Sequence, residues 1–280
     1  MSGWRAFWER GGFWRALLLV AAYLALYVGA GRLIGAVAGD GLEDPLSSAL
    51  SVFVNLAAPI LVGIALLAVF GASLGWLRGL FARQPIGGSW WMWILPVVIL
   101  VYNILRFAAA DYSQFTAATV AMVMFTGLCV GVAEEGLTRG FAVTLLRRAG
   151  YRELAVAALS SLLFAASHSV NIFSGQPPTT VALTVLYTFF FGVGMYLTLR
   201  VTRHLIWPIL LHASTDPAGI LLVGGIDSAG GAAAQVSPLA SVAGTANIAV
   251  ILLGLVFIWF IRGRVTADRP VDVDPLSDHT

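Results

Sequence analysis

From Trp14 to Arg262 the chain is a succession of apolar stretches, near 14–36, 49–72, 90–110, 116–146, 153–171, 179–200, 204–223 and 243–262. Each approaches or exceeds the ~20 residues that a helix needs to cross the ~30 Å hydrocarbon core of a bilayer. The fourth is long for one span and is expected to tilt, break or emerge as a helical extension. Only 11% of the 280 residues are charged and 59% are hydrophobic, against roughly 25% charged in soluble chains. In water such a surface would be one large apolar patch. The expected fold is therefore all-α, a polytopic membrane bundle of about eight transmembrane helices. It forms one transmembrane domain over 1–264, followed by a polar, disordered tail over 265–280.

The arginines set an orientation. All 16 basic residues are arginine, a usage that points to a GC-rich bacterial genome and so to a bacterial plasma membrane. With the N-terminus inside, cytosolic segments hold Arg5, Arg10 and Arg15; Arg78 and Arg83; Arg147, Arg148 and Arg152; Arg200 and Arg203; and Arg262, Arg264 and Arg269. The other side holds Asp40, Glu43, Asp44, Asp111 and Asp227, with only Arg32 and Arg106 near it. Eight spans satisfy the positive-inside rule, whereas seven or nine would break the alternation. Both termini are thus expected in the cytosol. Trp90, Trp91, Trp93 and Trp207 sit near span ends, as an interfacial belt requires. Ala36-Val37-Ala38 resembles a signal-peptide cleavage site, but the preceding run exceeds the ~7–15 residues of an h-region. An uncleaved first span is expected. There is no basic tract and no aromatic-basic interleaving, so nucleic acid is excluded as a partner class. The single cysteine, Cys129, reads as a packing residue within a span. The segment around 224–241, rich in Gly and Ala, reads as a flexible outer loop.

Ionisable groups deep in the spans carry the functional information. Glu134, Glu135 and Arg139 lie in the fourth, His168 in the fifth, and His212 and Asp216 in the seventh. A charge at mid-span costs roughly 2.5–3.5 kcal/mol on insertion scales, so these groups must face one another or a wet cavity. Counted at ~1.5 Å per residue from the nearest arginine-rich end, Glu134 lies ~20 Å deep, His168 ~24 Å, and His212 and Asp216 ~13 and ~20 Å. They share one layer. Residues at i and i+4 share a helix face, which pairs Glu135 with Arg139, Phe164 with His168, and His212 with Asp216. Glu134 lies off the Glu135 face and is free to point elsewhere. Gly127 and Gly131 allow a second helix to approach the fourth. Pro217 removes the backbone bond to the Ala213 carbonyl beside the site.

The segments Glu134-Glu135-Gly136-Leu137-Thr138-Arg139, Phe164-Ala165-Ala166-Ser167-His168 and His212-Ala213-Ser214-Thr215-Asp216 resemble, in order, the EExxxR, FxxxH and HxxxN/D motifs of the CPBP family. That family comprises the CAAX prenyl protease 2 and bacteriocin-processing proteins, also called Abi. The resemblance covers about 116–220. It implies an eight-helix intramembrane endopeptidase with a cytosol-facing cavity and a protease core over that segment. It also implies Glu134 as the base that activates water, His168 as a holder of that water, and Glu135 and Arg139 as mainly structural. His212 and the residue at Asp216 would stabilise the oxyanion. The eukaryotic CAAX enzymes have asparagine where this chain has Asp216, and an ionised aspartate cannot donate a hydrogen bond. Asp216 is therefore protonated, or orients His212, or helps bind a cation. The same inventory suits zinc held by Glu134, His168 and His212, so the cofactor reading stays between none and zinc. The expected partners are membrane lipids and a membrane-anchored peptide or protein substrate. Two other classes share these residues: a proton-coupled transporter, against which no inverted repeat is visible, and a non-catalytic membrane scaffold or immunity protein.

Overall fold

Among the described residues of the computed structural model, helices long and apolar enough to cross a membrane number eight: Phe13–Ala38, Ala49–Leu74, Trp90–Ala109, Ala117–Arg148, Glu153–Ser174, Pro178–Thr202, Ile206–Val223 and Pro238–Phe260. The structure describes residues 3–38, 42, 44–223 and 238–265. The spans match the sequence expectation to within a few residues, except that the eighth begins earlier. A short helix, Pro238–Gly244, precedes its main run, Ala246–Phe257. The loop expected around 224–241 falls largely, and the tail over 265–280 almost wholly, outside the described residues. Among the described residues there is no strand, only an isolated bridge between Arg152 and Arg264.

Local chemistry sets the ends of the spans. Thr116 accepts a hydrogen bond from the Thr119 amide at the start of the fourth span, an N-cap that satisfies a donor with no helical partner. Pro178 opens the sixth span, where its missing N–H costs nothing. Between the third and fourth spans, Asp111 accepts hydrogen bonds from the Ser113 hydroxyl and amide and from the Gln114 amide. These bonds, the Ser113 hydroxyl first, hold its carboxyl below the usual carboxylate range. A short helix, Gly3–Glu9, precedes the first span and was not foreseen. It buries Trp8, and Glu9 pairs with Arg148 and accepts from the Trp76 indole.

Packing follows membrane rather than aqueous logic. Large apolar side chains such as Leu26, Val69, Ile104, Leu183 and Ile248 are more than half exposed and face outward, where lipid receives them without penalty. The sixth span is the axis of the bundle, with every residue from Phe190 to Arg200 buried. It packs against the fifth and eighth spans, while the seventh packs along the third and fourth. At the arginine-bearing end, Glu153 is fully buried. It accepts from Arg147 at 2.9 and 2.7 Å, from the Tyr196 hydroxyl, and from Arg200 at 3.4 Å. Arg200 and Arg203 also donate to the carbonyls of Gly87 and Gln84. Each buried charge there is paired, as burial demands.

Candidate active site

Of the alternatives for the long fourth span, a break is not what the structure has. It runs unbroken to Arg148, but residues Gly136–Ala142 form a π-helical turn immediately after Glu134 and Glu135. Such turns are uncommon and concentrate at functional sites. Within it, Arg139 Nε lies 3.3 Å from Glu135 Oε2 and both side chains are fully buried, the ion pair that the spacing predicted. Arg139 also lies over the Phe164 ring at 4.7 Å, a cation–π contact in a dry setting. Gly192 of the sixth span makes room for the guanidinium, since a Cβ there would lie 2.7 Å from Nη2.

Gly127 and Gly131 admit the seventh span, as their spacing suggested. A Cβ at Gly127 would lie 2.2 Å from Pro217 Cγ, and one at Gly131 2.5 Å from the Ile209 carbonyl oxygen. The Ala213 carbonyl, which Pro217 deprives of its helical donor, lies against Gly127. Gly131→Val is therefore expected to push the two helices apart at a cost of ~1–3 kcal/mol, read as a lower unfolding midpoint in detergent. An unchanged midpoint would mean that the helices do not meet at this seam.

That close approach delivers His212 to the acids of the fourth span. Its Nδ1 lies 2.7 Å from Glu135 Oε1. A carboxylate only accepts, so Nδ1 carries the proton of this bond. Nε2 then faces Glu134 Oε2 at 3.6 Å and Asp216 Oδ2 at 3.7 Å. The sequence left the orientation of His212 to Asp216 as one option, but the geometry gives that contact to Glu135. Asp216, at 3.7 Å, is too far for a direct hydrogen bond to the ring. Phe164 links the two imidazoles, with its ring 5.0 Å from His168 and 5.7 Å from His212 in edge-on contacts. His168 Nδ1 lies 3.0 Å from the Phe164 carbonyl, so that nitrogen donates and Nε2 becomes the acceptor of the ring.

Glu134, Phe164, His168, His212 and Asp216 line one cavity of about 560 Å³. Glu135 and Arg139 do not line it and stand behind His212. The Glu134 and Asp216 side chains keep 31% and 26% of their exposure, against none for Glu135 and Arg139. Between the fourth, fifth and seventh spans the cavity thus offers two accessible carboxylates, Glu134 and Asp216, and two imidazoles, with a buried ion pair bracing His212.

Three residues near this site escaped the sequence reading. Asn103, buried in the third span, donates to the hydroxyls of Ser214 and Thr215 at 2.9 and 2.8 Å, fixing the helix turn between His212 and Asp216. Arg106, at the span end as expected, is buried there and donates to Asn247 at 2.9 Å. Tyr187 lines the cavity within electrostatic reach of Asp216. Polar residues three apart in an apolar span, Asn103 and Arg106, were the available signal.

Zinc would need three donors converging at ~2.0–2.2 Å. Among the described residues, no three His, Cys, Asp or Glu side chains are gathered closely enough to hold an ion. The donor set as folded does not fit a zinc centre.

Residues 116–218 match the family model described as type II CAAX prenyl endopeptidase, Rce1-like. Neither the curated proteins nor the solved structures return a match. The matched segment contains the π turn, both histidines and all the carboxylates of the cavity floor, on three spans of an eight-span bundle. The chain is a multi-pass membrane protein whose fourth to seventh spans are similar to the CAAX-type intramembrane endopeptidases.

Proposed function

We propose that the chain hydrolyses a peptide bond of a membrane-associated substrate by a metal-free, glutamate-activated water. Glu134 takes a proton from water, and the hydroxide oxygen attacks the scissile carbonyl carbon. His168 Nε2 accepts the second hydrogen of that water and holds it in line. The carbonyl oxygen becomes an oxyanion, which His212 Nε2–H stabilises. The C–N bond then breaks as Glu134 passes its proton to the leaving amine, so that charge and atoms balance.

The observation that carries this reading is the bond from His212 Nδ1 to the buried Glu135. It fixes the ring so that Nε2 lies in the same pocket as the accessible Glu134 carboxylate. For Nε2 to donate, both ring nitrogens must be protonated, one proton facing Glu135 and one facing substrate. Asp216, in its protonated form, supplies a second donor to the oxyanion. Asparagine at this position carries a permanent amide donor, so Asp216→Asn is expected to keep hydrolysis. Asp216→Ala should lose roughly 10²-fold, the usual cost of one oxyanion donor.

The test is cleavage of quenched, membrane-tethered peptides by the purified protein in liposomes, with and without a strong chelator. The expected result is hydrolysis that survives the chelator and follows the Asp216 order above. Chelator-sensitive hydrolysis restored by zinc would overturn the metal-free mechanism. Asp216→Asn as inactive as Asp216→Ala would remove Asp216 from the oxyanion site.

A further inference from the structure

Two phenols share the cavity with the catalytic groups and take no part in the chemistry above. Tyr23 and Tyr27 lie four residues apart in the middle of the first span, outside the matched segment 116–218. That spacing puts them on one helix face, and their rings stack in parallel, 6.1 Å apart at 5°. Both line the cavity, and both lie within electrostatic reach of Glu134. The second span packs on the first around them. A Cβ at Gly63 would lie 2.6 Å from the Tyr23 hydroxyl, and one at Gly31 3.7 Å from Pro59 Cγ.

Among the described residues, neither hydroxyl has a hydrogen-bond partner, although Tyr23 is only 7% exposed. A buried phenol usually finds one, and leaving it unpaired is costly. The neighbouring hydroxyls are taken. Those of Thr126, Thr138, Ser167, Thr188 and Thr215, which also line the cavity, each donate to a carbonyl of their own helix. A hydroxyl has one proton to give, so these five have none left for a ligand. The remaining phenol of the wall, Tyr187, has Arg106 and Asp216 within electrostatic reach. Tyr23 and Tyr27 are the donors left over.

The bilayer dictates what such donors suit. A peptide drawn out for cleavage gives up its helical bonds, and the hydrocarbon core offers its carbonyls no water. An extended chain rises ~3.3 Å per residue and points alternate carbonyls to one side, so those on one side recur every ~6.6 Å. The stacked phenols repeat at nearly that spacing, 6.1 Å between rings. We propose that Tyr23 and Tyr27 bind the substrate backbone, their hydroxyls donating to two carbonyls, two residues apart, of an extended peptide segment lying alongside Glu134. That the segment is a substrate rests on the protease reading above; its binding does not.

Binding is therefore measured without turnover, in liposomes, with Glu134→Gln as the background and a fluorescent, acylated peptide of leucine and alanine as the probe. Tyr23→Phe and Tyr27→Phe keep the stacked rings and remove only the donors. Each is expected to raise Kd roughly 3–10-fold, the worth of one neutral hydrogen bond. The unfolding midpoint of the peptide-free protein should stay the same or rise. The peptide amides are then replaced one at a time by alkenes. One replacement should weaken binding to the background protein but not to Tyr23→Phe, and another, two residues along, should do the same for Tyr27→Phe. No saturable binding, or a Kd unchanged in both variants, would overturn the proposal. So would alkene costs that are equal in all three proteins, since the phenols would then touch no backbone amide. A lowered midpoint would make the hydroxyls structural and overturn it too. Tyrosine-dependent binding of a peptide that the chain with Glu134 intact does not cleave would count against the protease reading alone.

Discussion

Glu134→Gln is expected to reduce peptide hydrolysis by roughly 10²–10⁴-fold, the range that a positioned general base contributes, while leaving thermal stability unchanged. The substitution keeps the shape of the side chain and removes its capacity to take a proton. Stability should hold because Glu134 is not part of the buried framework. Its carboxylate is 31% exposed in the cavity and stands 3.6 Å from His212, while the bond that braces the ring belongs to Glu135. The measurement pairs initial rates in liposomes with an unfolding curve in detergent. Full activity in Glu134→Gln would end the proposed mechanism. A large loss of stability would move Glu134 from the chemistry into the framework.

Glu135→Ala should do the reverse. Its carboxylate faces Arg139 at 3.3 Å and His212 at 2.7 Å, with no exposure of its own or of Arg139. Removing it strands a buried guanidinium and unties the His212 ring. Breaking one side of a buried pair costs about 3–5 kcal/mol, seen as a sharply lower unfolding midpoint, and hydrolysis should fall with it. Removing both charges, in Glu135→Ala with Arg139→Met, should recover part of the stability but not the activity. The unpaired charge is gone in that variant, and His212 still lacks its acceptor. If the double variant is no more stable than Glu135→Ala, the stranded charge is not the source of the loss. The readout separates bracing from chemistry, which a rate alone would not.

The spans were legible because the bilayer imposes one length on them, and that length is written in runs of apolar residues. Pairs within one helix were legible too, since the i to i+4 rule fixes Glu135 beside Arg139 and Phe164 beside His168 whatever surrounds them. What escaped is between helices. The bond from His212 to Glu135 joins residues 77 positions apart, and its choice over Asp216 depends on how far the seventh span slides along Gly127 and Gly131. The span-end position of Arg106 was legible, but its buried partner Asn247 was not, because that contact is made between helices.

The π turn at Gly136–Ala142 has a consequence for phase. An α-helix advances ~100° per residue, so accommodating one extra residue in a wider turn rotates everything after it relative to everything before. In the fourth span this separates two tasks. The part before the turn aims Glu134 into the cavity, and the part after it aims Arg147 at Glu153. A uniform helix would have to compromise one azimuth to obtain the other. The single wide turn acts as a gear step between a wet, reactive section of the rod and a dry, anchored one, and it lets one unbroken helix serve both.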